Sequence, residues 1–186
     1  MPSSKKSKIK KTAATKSKPG KKPIKTAKKI GVMLEGKKAP AFQLADANGK
    51  TVALKDLIGA NHLVLYFYPK DMTPGCTIEA CSFRDNNDRL TALGARIIGI
   101  SADSSASHTK FTEKHGLNFP LLADPDNKVT GLYGVYKMKS LYGRQFMGIE
   151  RTTFVIDKAG VVRRIFPKVK VNGHTDEVIE TLRALA

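Results

Sequence analysis

The run His62–Tyr68 (HLVLYFY) is almost continuously apolar and aromatic. A run of this length and content predicts a strand buried on both faces. Arg96–Ser101 (RIIGIS) predicts a second buried strand. Between them, Cys76, Ala80, Phe83 and Leu90 recur at helical spacing, which predicts a helix from about Pro74 to Leu93, stopped at Gly94. A further helix opens at Ser104 or Ser105, runs to about His115 and stops at Gly116. Shorter signals surround these. Phe42–Leu44 and Val52–Leu54 read as a hairpin turned at Asn48-Gly49, and Asp56 as the cap of a short helical turn. Pro120–Ala123 reads as a short strand and Asn127–Tyr133 as a short helix. Thr152–Ile156 and Val161–Ile165 form a hairpin around Lys158-Ala159-Gly160, and Asp176–Leu185 a last helix. Strands alternating with helices, then a hairpin and a helix, imply an α/β fold: a central mixed sheet with helices on both faces. There is no internal repeat.

Charge divides the chain in two. Of its 186 residues, the first 38 hold 14 lysines and one acidic residue, Glu35, while the remaining 148 hold 19 basic and 15 acidic residues. Residues 1–29 carry 12 lysines and no acid among Ser, Thr, Ala, Pro and Gly. That composition buries too little apolar surface to offset its ordering entropy, so it predicts a disordered Lys-rich tail over 1–33, with the folded domain over 34–186. The tail lacks the apolar stretch of a secretory signal. Its freedom from acids suits an organelle transit peptide, but it has no arginine and little apolar face. No run of 18 apolar residues exists, so no spanning helix is expected. Two cysteines cannot staple a disulfide scaffold.

The stretch with chemical content is Pro69-Lys70-Asp71-Met72-Thr73-Pro74-Gly75-Cys76-Thr77-Ile78-Glu79-Ala80-Cys81, which joins strand to helix. Thr73 fits the N-cap and Pro74 the first helical position, which puts Cys76 in the first turn. Free N–H groups and the positive helix end favour a thiolate there, the nucleophilic form of cysteine. The stripe shared with Ala80, Phe83 and Leu90 places Cys76 at an apolar pocket beside Tyr66, Phe67 or Tyr68. The alternative is a small buried residue without chemistry. Cys81 lies five positions on. In an ideal helix that spacing separates the Cα atoms by roughly 8.6 Å, against roughly 4.4–6.8 Å for a disulfide. A Cys76–Cys81 bond therefore requires the first turns to unwind. Cys81 also fits a half-exposed helical cysteine with no role.

At these residues the chain resembles the peroxiredoxins, thiol peroxidases of the thioredoxin-like fold, whose Pro-x-x-x-Thr-x-x-Cys pattern is matched by Pro69, Thr73 and Cys76. TPGCTIEACSFRD is similar to the bacterioferritin-comigratory, or peroxiredoxin Q, subgroup, in which a resolving cysteine often lies five residues after the peroxidatic one. Arg151 fits the family's arginine at the start of a late strand. The resemblance covers about residues 34–186. It implies that Cys76 attacks peroxide and becomes a sulfenic acid, that Cys81 resolves it, and that thioredoxin or a similar dithiol reduces the disulfide. It implies that Thr73 holds the peroxide, that Arg151 stabilises the thiolate and the leaving oxygen, and that Pro69 shields the sulfur. Glu79 fits a residue orienting Arg151 or, equally, an exposed helical glutamate. Taken alone, Arg151 also fits a surface ion pair with Glu150 or Asp157. The subgroup resemblance implies a monomer in antioxidant defence.

Two other readings compete. The lysine-rich tail suits non-specific nucleic-acid contact, which would make the domain a redox sensor on a nucleic-acid-associated protein. A basic tail that only solubilises or targets fits the same residues, and no basic stripe with interleaved aromatics stands out in the body. A thioredoxin-type oxidoreductase lacks its C-x-x-C here. A Cys-His hydrolase lacks an evident base. The four histidines are scattered without ligand spacing, so neither a metal nor a cofactor is expected. A cytoplasmic location is expected, with nucleoid or nucleus as the alternative through the tail, or an organelle.

Overall fold

The computed structural model describes residues 35–141 and 143–185. β1 (Gln43–Asp46) and β2 (Thr51–Ala53) form the first hairpin, followed by the single turn α1 (Leu54–Leu57). Asp46 Oδ1 fixes the hairpin turn by accepting from the N–H groups of Asn48 (2.8 Å) and Lys50 (2.9 Å). The two long apolar runs become β3 (His62–Phe67) and β4 (Ala95–Ser101), joined through α2 (Pro74–Asp85) and α3 (Asn87–Ala92). Then follow α4 (Ser105–His115), β5 (Leu121–Ala123), α5 (Lys128–Leu132), β6 (Tyr136–Leu141), β7 (Arg144–Ile149), β8 (Thr152–Ile156), β9 (Val162–Pro167) and α6 (His174–Arg183). Ser104 caps α4 by accepting from Ser107 N–H, and Gly116 ends it in the left-handed conformation.

Seven strands form one sheet in the order β2-β1-β5-β4-β3-β8-β9. β4 runs parallel to β3 and β5, while β8 is antiparallel to β3 and β9. The sheet is therefore mixed, as expected. Alternate residues of β3 feed two apolar layers. Val64 and Tyr66, followed by Tyr68, face α2, α4 and α6 through Cys76, Phe83, Phe111 and Ile179. Leu63, Leu65 and Phe67 pack on the other face with Leu54, Val129 and Tyr133. Burying each such side chain stabilises the fold by about 1.5–3 kcal/mol, which explains why an unbroken apolar run occupies the sheet's centre. Gly99, paired with Tyr66, leaves room for its ring. A Cβ there would stand 2.7 Å from Tyr66 Cζ and 2.7 Å from Leu121 Cδ2.

Two elements differ from the pattern-based reading. The helix expected over Pro74–Leu93 breaks at Asn86, whose backbone leaves the helical region and whose Nδ2 donates to Ser82 O (2.9 Å). Side-chain amides compete for backbone groups in this way, and Asn86, Asn87 and Asp88 are adjacent. The second difference is the two-stranded sheet of β6 and β7, which the pattern did not reveal. Met138, Phe146 and Met147 along it are exposed and only its Tyr136–Ile149 end packs on the core, so no continuous buried stripe marks it. Among the described residues, no helix is long and apolar enough to cross a membrane. The tail expected over 1–33 lies outside the described residues.

Candidate active site

The loop between β3 and α2 delivers Cys76. Its conformation is set by Asp71, a buried carboxylate that accepts from Tyr68 Oη (2.7 Å) and Ser107 Oγ (2.7 Å) and meets His108 Nδ1 at 2.9 Å. Asp71 N–H donates to Asp103 Oδ2 (2.8 Å). Burial works against its charge, but the hydrogen bonds from His108, Ser107 and Tyr68 win and hold the carboxyl below its ordinary value. Met72 then turns the chain through a left-handed conformation at φ 59°, and α2 begins. Thr73 occupies the N-cap, but its hydroxyl donates back to Lys70 O (3.0 Å) instead of capping the helix. The Gly75 and Cys76 amides find no acceptor among the described residues, the normal condition of a first helical turn.

Cys76 is 1% exposed, with Tyr66, Tyr68 and Phe83 in the same apolar layer. Phe67 faces the opposite layer, so it is not part of the Cys76 pocket. Arg151 reaches the sulfur from 75 residues away. β8 pairs with β3 so that Thr152 lies beside Phe67, which sets Arg151 at the carboxyl end of β3, next to the loop. Its Nη2 donates to Cys76 Sγ at 3.2 Å, and its Nη1 pairs with Glu79 Oε2. Gly75 eases this approach, since a Cβ there would lie 3.2 Å from Arg151 Nη2 and push it back by a few tenths of an ångström.

Glu79 is buried, not an exposed helical residue, and it orients the guanidinium. Arg151 is therefore not a partner of Glu150, which pairs with Lys137, nor of Asp157, which pairs with Arg163. Burial pushes the Glu79 carboxyl up from 4.5 to about 7, although Arg151 pulls the other way. Arg151 loses by burial as well, but Glu79 and Cys76 hold it above its ordinary value. The guanidinium thus keeps its charge, and Glu79 is the member of the pair that accepts a proton. Burial, helped by Glu79, Cys76 and Asp71, drives the Tyr66 phenol far up, so it is neutral in this layer.

Cys76, Arg151 and Glu79 converge, then, while the Thr73 hydroxyl bonds Lys70 O and not the sulfur, and Pro69 is exposed. Cys81 is half-buried on the same helix, and both cysteines are free. Sequence reading missed the Asp71–His108 pair and left the place of Glu79 open. The available signal was spacing: Glu79 follows Cys76 by three residues on the buried stripe, and His108 precedes Phe111 by three. Among the described residues, no cluster of ligand side chains could hold a metal. A cavity of about 810 Å³ lies at the opposite end of β4, beside Ala95 and Arg96, and includes none of these groups.

A helix-start cysteine under an arginine at the carboxyl ends of the sheet strands is an arrangement that comparison with known proteins can test. Residues 35–165 match the model of the AhpC/TSA family. Peroxiredoxin Bcp of Bacillus subtilis (strain 168) is 49% identical over 151 residues, covering 81% of this chain and 96% of that protein. The chain belongs to the AhpC/TSA family, as a peroxiredoxin. Peroxiredoxin Q of Xanthomonas campestris superposes with a TM-score of 0.73 at 42% identity, over 77% of this chain and 90% of that one. A trapped intermediate/ligand complex of the Xanthomonas campestris bacterioferritin comigratory protein, solved for its alkyl peroxide reduction activity, gives a TM-score of 0.74 at 41% identity, over 77% and 91%. The thioredoxin-like peroxiredoxin fold and a thiol peroxidase activity follow for this peroxiredoxin.

Proposed function

We propose that Cys76 is the peroxidatic residue, and the Arg151 Nη2–Cys76 Sγ contact of 3.2 Å is the observation that carries this reading. The thiolate attacks the terminal oxygen of hydrogen peroxide or an organic hydroperoxide. An S–O bond forms, the O–O bond breaks, and the leaving oxygen departs as water or alcohol after taking a proton. Sulfur is oxidised by two electrons to a sulfenic acid. Arg151 faces both the sulfur and the charge that develops on the departing oxygen. Thr73, whose hydroxyl hydrogen is committed to Lys70 O, keeps an oxygen lone pair for the peroxide O–H. Pro69 screens the rim. Cys81 then attacks the oxidised sulfur: an S–S bond forms, the S–O bond breaks and water leaves. Thioredoxin or a similar dithiol reduces the disulfide. Residues 1–33 are a separate Lys-rich extension that contacts polyanions, the domain works as a monomer, and thiols recycled by a dithiol suit the cytoplasm.

The test is peroxide consumption coupled to thioredoxin, thioredoxin reductase and NADPH, for wild type and Cys76→Ser. The variant should retain less than about 1% of the turnover, since it loses the nucleophile at nearly unchanged volume. Substantial residual turnover would remove Cys76 from the role.

A further inference from the structure

Thr73 holds the N-cap position of α2 but makes no cap bond to it. Threonine is a favoured cap, so another contact must hold its hydroxyl elsewhere. The hydroxyl donates to Lys70 O at 3.0 Å, three residues back. Lys70 C=O and Asp71 N–H belong to one planar peptide and turn as a unit. The other side of that peptide is fixed from 32 residues away, where Asp71 N–H donates to Asp103 Oδ2 at 2.8 Å. Asp103 lies between β4 and α4. Its Oδ2 also accepts from Ser101 Oγ (2.8 Å), and Asp103 N–H donates to Ser101 Oγ (3.1 Å). Ser101 is buried at the end of β4. The Asp103 carboxylate is therefore tied to the central sheet and not only to the loop that carries Thr73.

The contacts form a chain: Asp103 carboxylate, the peptide joining Lys70 to Asp71, the Thr73 hydroxyl. Every hydrogen in it points toward Asp103. The peptide N–H meets a charged acceptor, which makes a stronger bond than a neutral one. That bond polarises the peptide and makes Lys70 O a better acceptor in turn. The Thr73 hydrogen is committed to this carbonyl, so outward the Thr73 oxygen can only accept. The turn itself is held under constraint. Met72 follows in the left-handed region at φ 59°, a conformation that a non-glycine residue keeps only where its neighbours impose it. Asp71 imposes it on one side through Tyr68, Ser107 and His108. Asp103 does so on the other, through the backbone.

We infer, on the Thr73 role proposed above, that Asp103 is a positioning residue for the peroxide step: it fixes the peptide between Lys70 and Asp71, and through it sets the Thr73 oxygen as acceptor for the peroxide O–H. The experiment follows oxidation of Cys76 in the full chain by quenched flow and mass spectrometry. Asp103→Ala should lower the second-order rate with hydrogen peroxide by about tenfold, the worth of one hydrogen bond. Asp103→Asn keeps an acceptor oxygen without the charge and should lose only about threefold. Alkylation of Cys76 by iodoacetamide needs the thiolate but no hydroxyl acceptor, so its rate and pH profile should stay within about twofold of wild type in both variants. In a Thr73→Val background either Asp103 substitution should change the peroxide rate by less than about 1.5-fold, because Asp103 then has nothing to act through. If Thr73→Val reacts at the wild-type rate, the Thr73 role falls and the Asp103 role with it. If Thr73→Val is slow but the Asp103 substitutions cost their full factor again on top of it, Thr73 stands and Asp103 is overturned. Wild-type peroxide rates in both Asp103 variants, or alkylation that slows in parallel with peroxide, overturn it equally. Should Asp103→Ala fail to fold, Asp103→Asn decides, and a wild-type peroxide rate in that variant counts against Asp103.

Discussion

Replacing Glu79 by Gln keeps the volume and a carbonyl oxygen for Arg151 but removes a titrating carboxyl from a buried position. In the folded state that carboxyl is raised by burial to about 7 from an ordinary 4.5. Between those values the folded protein still holds the proton and the unfolded chain has lost it. Stability of the wild type therefore falls as pH rises through this window and levels off above it. Each tenfold difference in proton affinity between the folded and unfolded chain is worth about 1.4 kcal/mol, so the loss from about pH 5 to about pH 8 is about 2.5 kcal/mol. Glu79→Gln lacks this loss, so the variant-minus-wild-type difference in unfolding free energy should rise by that amount over the same range. Any constant offset from the changed hydrogen bond cancels in the comparison, as do the histidines common to both proteins. The assay is urea unfolding at closely spaced pH values with both cysteines kept reduced. A flat difference between pH 5 and 8 would mean that Arg151 fully compensates the burial of Glu79. A falling one would reverse the sign of the reasoning.

Three shorter expectations follow from the same geometry. Arg151→Met removes a charged donor from the sulfur, worth about 1.5–3 kcal/mol, so the second-order rate with hydrogen peroxide should fall by about 10- to 100-fold; stopped-flow fluorescence measures it, and a loss under threefold would disprove the role. Cys81→Ser should be oxidised once, fail to turn over with thioredoxin and over-oxidise at Cys76, while the peroxide-treated wild type should show a Cys76–Cys81 bond by mass spectrometry and faster amide exchange over residues 77–84; only intermolecular disulfides would rule out the resolving role. Asp71→Asn weakens a buried, charge-bearing network and should destabilise the fold by about 2–4 kcal/mol at neutral pH. Because the Asp71 carboxyl is held low, this margin should shrink as pH falls below the ordinary carboxylate range, and a margin independent of pH would show that the charge does not matter.

The unwinding that the proposed Cys76–Cys81 bond requires has a structural boundary. α2 is a regular helix through both cysteines. Its later half is tied down, since Ser82 Oγ meets Thr175 Oγ1 at 2.7 Å and Arg84 bonds His115 O. Its first turns carry fewer ties, apart from the Arg151 contacts with Cys76 and Glu79. Oxidation of the sulfur alters one of those contacts directly. Local opening should thus begin at the Cys76 end of the helix and stop near Ser82.

The central strands, the start of α2 and the placement of Cys76 in its first turn were legible along the chain. They depend on local causes: continuous apolar runs, a proline at the first helical position, a glycine that stops α4. The break at Asn86 was less legible, because the apolar stripe continues through Leu90 while the backbone does not. The β6–β7 hairpin left little trace, since Met138, Phe146 and Met147 are exposed and only its Tyr136–Ile149 end packs on the core. What only tertiary structure decided is the environment of the charges. Arg151 sits 75 positions from Cys76, and the β3–β8 register alone sets it at the sulfur. Glu79 looks like any helical glutamate until the sheet buries it, and Asp71 like a turn residue until α4 brings His108 and Ser107 to it. A side chain's type fixes what it can donate, accept or titrate. Its dielectric surroundings and partners come from segments distant in sequence, and those decide whether it is a solvated surface group or part of a reactive site.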